Sequence, residues 1–238
     1  MWTYMVVLVL ASGYMFIFQG FKIALELFGW TSLAIVVLTL FTFMNIDLIK
    51  DSKNEQRKSF QLANVLTSFR IISTAPVLVL LLEGFLLAGA LLYIVAAVTD
   101  IFDGMAARGL DQGTRYGLVL DPVGDILVTA AVFGYFWIDG DIPPWLFVIL
   151  MFRYVQFFAG LAVLDMLGKR PRLRATIAGK LVGLVQASGI LIIFAGKLFP
   201  ESVPFGEMNE YLFPVLGAAF VCVVISQTWI GVEALKNG

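Results

Sequence analysis

Histidine is absent from the 238 residues, and cysteine occurs once, as Cys222. The first absence excludes imidazole metal ligands and histidine general bases; the second excludes an intrachain disulfide. Charge is scarce too, at 14% of residues against about 25% in soluble domains. The chain is 60% hydrophobic with a mean hydropathy of +0.93, and its apolar runs are long enough for a bilayer core, which takes about 20 residues. These figures describe an all-α polytopic membrane protein. The formal net charge of −1 by itself says nothing about nucleic acid, because what matters is where the charges fall; no nucleic acid is expected as a partner. The first residues lack a basic stretch ahead of the apolar one, which argues against a cleaved signal peptide.

Apolar runs recur at about 4–19, 30–46, 68–82, 85–106, 116–138, 144–166, 177–197 and 211–232, predicting eight membrane helices. Turns are expected at Phe21 to Gly29, Glu83-Gly84, Gly109 to Thr114, Asp139 to Pro144, Gly168 to Arg174 and Phe199 to Glu210. The polar segment from Asp47 to Ala63, with Ile49, Phe60 and Leu62 interspersed, reads as an interfacial helix; a solvated linker is the alternative. With both termini inside, thirteen of the sixteen basic residues fall on the cytoplasmic side, Lys22 and Lys197 fall outside, and Arg153 lies within a span.

Against that apolar background stand Asp100, Asp103, Asp121 and Asp125. An acid at bilayer depth costs several kcal/mol unless it faces protein, a cation or a water-filled cavity. Helical spacing makes two pairs of them, Asp100 with Asp103 near the end of the fourth span and Asp121 with Asp125 near the start of the fifth. A short loop joins those spans antiparallel, so the pairs can converge. Four neighbouring carboxylates cannot all ionise unaided, and two hard cations, Mg2+ or Mn2+, suit an oxygen-only ligand set better than zinc does. Gly104, Ala107 and Gly117 line the same faces with backbone, and Arg108 adds a planar donor fork suited to phosphate oxygens. Paired metals beside a guanidinium point to diphosphate chemistry.

The spacing Asp100-x2-Asp103-Gly104-x2-Ala107-Arg108-x8-Gly117-x3-Asp121-x3-Asp125 resembles, at all eight defined positions, the signature of the CDP-alcohol phosphotransferases, or CDP-alcohol phosphatidyltransferases. The segment Asn64-x2-Thr67-x2-Arg70 resembles the opening of that family's first core helix, and Gly179-Lys180 with Gln186 resembles a later one. The resemblance covers about residues 57–232 and implies a six-helix core, so residues 1–50 would supply two additional N-terminal transmembrane helices and 51–238 the transferase domain with its interfacial helix. It implies transfer of a phosphatidyl group from a CDP-linked lipid such as CDP-diacylglycerol to an alcohol, with release of CMP. Asp100, Asp103 and Asp121 would be metal ligands, and Asp125 both ligand and general base. Asn64, Thr67, Gly104, Ala107, Arg108 and Gly117 would border the CDP group. A homodimer is a further expectation from the family alone.

Within the family, Thr114 to Asp125 looks most like the phosphatidylglycerophosphate synthase branch, whose acceptor is glycerol 3-phosphate. A phosphorylated acceptor needs cations, and Arg153, Lys169, Arg170, Arg172, Arg174 and Lys180 are the candidates. The chain departs from that branch on the acceptor side: Ile126 replaces a lysine, Tyr154 a glutamate and Val182-Gly183 a Lys-Thr pair. Phosphatidylglycerol, inositol phosphate or another polar alcohol therefore stays open as acceptor. The bland alternatives are a positive-inside anchor for residues 168–174, interfacial snorkelling for Arg70 and Lys180, and simple interhelical bonding for Gln156 and Gln186. An intramembrane prenyltransferase is disfavoured because Thr99 and Ala107 stand where its motif has Asn and an acid. A divalent-cation channel or carrier would need polar groups across the whole membrane, whereas these acids gather near one face.

Overall fold

The computed structural model describes residues 20–44, 62–109, 115–167 and 177–237. They form seven helices: α1 (Phe21–Met44), α2 (Leu62–Leu82), α3 (Leu86–Gly109), α4 (Arg115–Ile138), α5 (Pro144–Met166), α6 (Ile177–Leu198) and α7 (Phe205–Asn237). Among the described residues no strand occurs. Six of these helices contain a stretch long and apolar enough to cross a bilayer. In α3 the apolar stretch among residues with described side chains is Leu86–Thr99, and the helix's 24 residues reach about 36 Å. The protein is thus a multi-pass, all-helical integral membrane protein. The expected first run, 4–19, lies outside the described residues, as does nearly all of the interfacial segment.

Two of the expected turns were misplaced. Phe21 to Gly29 is helix, not turn: the chain breaks at Gly20, whose φ of 106° is left-handed, and nothing in the following residues interrupts the hydrogen-bond ladder. Likewise α7 starts at Phe205. The Phe199–Glu210 turn shrinks to six residues because the helical ladder begins at Pro204, whose carbonyl accepts from Met208 N at 3.0 Å.

The chain divides into two compact units, with the boundary inside α4 after Tyr135. In the first unit α1 packs antiparallel on α2, since Lys22 at its start lies 3.0 Å from Glu83 at the end of α2. Leu27 meets Val79 and Leu80 there, with Ile23, Phe85 and Leu92 around them. Gly84, at φ 82°, turns the chain into α3. A Cβ at Gly89 would lie 2.6 Å from Leu81 Cδ2, so glycine is what lets α2 and α3 approach this closely.

In the second unit α5 and α6 both pack on α7. Trp145 lies against Gly217, and Leu216 against Gly189, where added Cβ atoms would come within 2.6 and 2.8 Å. Phe136 and Phe194 meet edge to face at 4.9 Å. Lys197 closes one end of the unit by binding Asp139 and, at 2.7 Å, Asp141. Burial nonetheless holds the Asp141 carboxyl above its ordinary range, with Lys197 opposing the shift.

Candidate active site

Asp121 and Asp125 stand one turn apart on α4, so they share a face. That face is held against α2. Thr67, fully buried, donates its hydroxyl to Asp121 Oδ1 at 2.5 Å. Three residues on, Arg70 is 1% exposed. Its Cδ and Cβ lie 3.6 and 3.8 Å from where a Cβ on Gly124 would stand, and Ile71 Cγ1 would be only 3.2 Å away. Gly124, between the two aspartates, is therefore what allows α2 to lie close to them. A guanidinium at this depth must be answered by anions, because an uncompensated buried charge costs several kcal/mol.

Burial excludes the interfacial-snorkelling alternative for Arg70: its guanidinium is enclosed, not drawn out to a membrane surface. The signal was already in the Asn64-x2-Thr67-x2-Arg70 spacing, which puts Thr67 and Arg70 one turn apart. What sequence could not supply was the partner. Asp125 itself is exposed. Pro122, inside α4, cannot donate to the carbonyl four residues back. A freed backbone group at membrane depth is tolerated where it lines a cavity or is covered by protein.

Asp100, Asp103, Gly104, Ala107 and Arg108 fall in the last turns of α3, Gly117 in the first turn of α4, and Asn64 in the first turn of α2. The side chains of these residues, and that of Lys180 on α6, lie outside the described set, as do Lys169, Arg170, Arg172 and Arg174 altogether. Among the described residues no three metal-ligating side chains form a cluster.

The second unit holds Arg153 in a defined setting. Its Nη1 donates to Gln186 Oε1 on α6 at 2.7 Å, and Gln186, 4% exposed, donates from Nε2 to Tyr154 Oη at 3.3 Å. The guanidinium carbon lies 5.4 Å from the Tyr154 ring centre and 5.8 Å from that of Phe220, within cation–π range. Tyr154, which looked like a departure, is part of the frame that orients Arg153. Gln186 likewise does more than join two helices. Gln156 behaves as the simple interhelical bond expected, donating to the Val224 carbonyl at 3.1 Å and to Thr228.

Similarity to known proteins agrees with this geometry. The family model described as CDP-alcohol phosphatidyltransferase matches residues 60–229, and the chain belongs to that family. A Mycobacterium tuberculosis protein named probable phosphatidylglycerophosphate synthase is 30% identical over 185 residues, covering 74% of this chain and 82% of that protein. The Bacillus subtilis CDP-diacylglycerol–glycerol-3-phosphate 3-phosphatidyltransferase is 33% identical over 161 residues, or 63% of this chain and 77% of the relative. Its Escherichia coli namesake is 44% identical over a shorter stretch of 75 residues, 30% of this chain and 41% of the relative. The family match begins close to the start of α2 and leaves α1 outside it.

Proposed function

We propose that the protein makes phospholipid by transferring the phosphatidyl group of CDP-diacylglycerol to glycerol 3-phosphate, releasing CMP. The observation that carries this is the tie between two motif segments: Thr67 of the Asn-x2-Thr-x2-Arg element binding Asp121 of the aspartate signature, with buried Arg70 behind. The names of the relatives support the acceptor.

In this reading Asp125 takes the proton from the acceptor hydroxyl, whose oxygen forms a bond to the lipid-side phosphorus while the bond from that phosphorus to the CMP oxygen breaks. Thr67 holds the Asp121 carboxylate in one rotamer by binding Oδ1. Asn64, Thr67, Gly104, Ala107, Arg108 and Gly117 border the CDP group. The donor chemistry fits a hard divalent ion, since the motif is all carboxylate and one of its described members, Asp121, is already oriented by a hydroxyl. Asp100, Asp103, Asp121 and Asp125 would hold two Mg2+ or Mn2+ ions, which when bound neutralise diphosphate charge and stabilise the departing CMP. Arg153, framed by Gln186 and Tyr154, would receive the acceptor phosphate, together with Lys169, Arg170, Arg172, Arg174 and Lys180. The lysine and arginine bias supports a site at the cytoplasmic face, and a homodimer is the expected assembly.

The test is CMP release from CDP-diacylglycerol by purified protein with Mg2+ or Mn2+, across glycerol 3-phosphate, inositol phosphate, serine and phosphatidylglycerol, with the lipid product identified by mass. Phosphatidylglycerophosphate is the expected product. Another phosphatidyl lipid would move the acceptor assignment, and no CMP with any alcohol would overturn the transferase reading.

A further inference from the structure

Helix α1 has no place in the family's matched region, yet it shapes a feature beside the aspartates. Its first half is pinned to α2 through Lys22–Glu83 and the Leu27 contacts. Further along, a cavity of about 450 Å3 opens among α1, α2 and α4. Trp30, Ala34 and Leu38 contribute one wall, Ile71 and Ala75 another, and Leu120, Val123 and Leu127 the third. Thr74, the one residue of the lining with a hydroxyl, turns it back to the Arg70 carbonyl at 3.2 Å, so the slot is almost wholly apolar.

Position, length and width restrict what fits. Leu120 immediately precedes Asp121, Val123 lies between Asp121 and Asp125, and Ile71 follows Arg70, so the slot begins at the level of the candidate site. At about 1.5 Å per residue the lining runs roughly 10 Å along α4 and roughly 12 Å along α1, close to the depth of one leaflet, about half of a 30 Å core. The volume spread over that length gives a cross-section of about 40 Å2, whereas a helix about 10 Å across needs roughly twice as much. A single hydrocarbon chain meets all three conditions, and a helix of a second copy does not.

Resting on the function proposed above, we infer that one acyl chain of the CDP-linked lipid lies in this slot, and that α1 is the wall that positions it. Lipid tails are as apolar as the slot, so little affinity comes from burial. What the slot supplies is placement: a chain held here fixes the lipid-side phosphorus along the membrane plane relative to Asp121 and Asp125.

Ala34→Phe and Ala75→Leu fill the slot from opposite walls, and Val36→Phe, on an exposed face of α1 outside the lining, is the control. CMP release is measured for each with dioleoyl and with dihexanoyl CDP-diacylglycerol. The slot variants should lower kcat/KM for the long-chain donor by roughly ten- to a hundredfold, since a displacement of about 1 Å at the reacting centre can cost on the order of 10²-fold, with the short-chain donor and the control little changed. In parallel, full-length protein is photolabelled with CDP-diacylglycerol bearing a diazirine near the end of one chain, and with phosphatidylcholine carrying the same chain. Labelling of α1 that excess unlabelled CDP-diacylglycerol displaces supports the inference. Equal, undisplaced labelling by phosphatidylcholine would mean bulk lipid and overturn it. A change of oligomeric state in Ala34→Phe without any chain-length effect would assign the slot to a second copy and overturn it too. An active wild type whose slot variants keep the same chain-length preference removes the slot alone, whereas a wild type that releases no CMP removes the function on which it rests.

Discussion

The aspartate face of α4 and the Arg153 cluster of α5 are both charged groups inside apolar helices, yet they are built differently. Asp121 and Asp125 owe their juxtaposition to a four-residue step on one helix, and Thr67 and Arg70 to a three-residue step on another. Arg153 owes its setting to Gln186, 33 positions away, and to the Phe220 ring on a third helix. The two acids repeat one sign along a single helix, and in the proposed function cations from outside offset them. The arginine is a single cation already oriented by one amide and two rings. Local repetition marks the part of the site proposed to hold the donor, and a tertiary frame marks the part proposed for the acceptor.

The sharpest way to break that division is Asp125→Asn. General-base catalysis contributes about 10²- to 10⁴-fold, so CMP release should fall by at least that factor while the protein keeps its helical content and its size in detergent. Arg153→Ala comes next. A charge-assisted hydrogen bond contributes about 1.5–3 kcal/mol, and the KM for glycerol 3-phosphate should rise roughly 10- to 100-fold at unchanged CDP-lipid binding. Equal loss of CDP-lipid binding would erase the distinction between the two regions.

Thr67→Val should act through Asp121, as a positioning change. Loss of a hydrogen bond that orients a metal ligand typically costs about 10- to 100-fold in metal affinity or activity, so the variant should need more Mg2+ or Mn2+ for half-maximal rate, with Thr67→Ser restoring the wild-type requirement. A uniform fall in rate at every metal concentration would mark Thr67 as merely structural.

The smallest effect concerns the far end of the second unit. Because burial raises the folded Asp141 pKa above its unfolded value of about 3.9, the folded state binds that proton more tightly. The burial cost is present at neutral pH and is relieved as pH falls through the raised value toward the unfolded one. Thermal unfolding in detergent should show this relief in the wild type, and Asp141→Asn should flatten it.

Most helices could be placed from hydropathy alone, since a bilayer of fixed thickness demands apolar runs of fixed length; α5 came out at its expected bounds and α4 and α6 within a residue. The misplaced ends, at Gly20 and Pro204, depended on one residue's backbone conformation each, which a hydropathy window averages away. The aspartates were legible because helical spacing and the cost of buried charge act along a single segment. Thr67 was legible as part of a motif, but its partner was not, because 54 residues separate it from Asp121. Arg70 was undervalued for the same reason: burial belongs to the assembled helices, and the sequence shows only an arginine near a span's end.

By itself the sequence determined an all-helical membrane protein with a complete carboxylate signature and no imidazole, because composition and local spacing are properties of consecutive residues. Only the tertiary structure decided that Thr67 holds Asp121, that Gln186 and Tyr154 frame Arg153, and that α1 walls an apolar slot beginning at the aspartates. Each of those depends on side chains from distant segments meeting, and such meetings are set by helix packing, which local pattern does not encode.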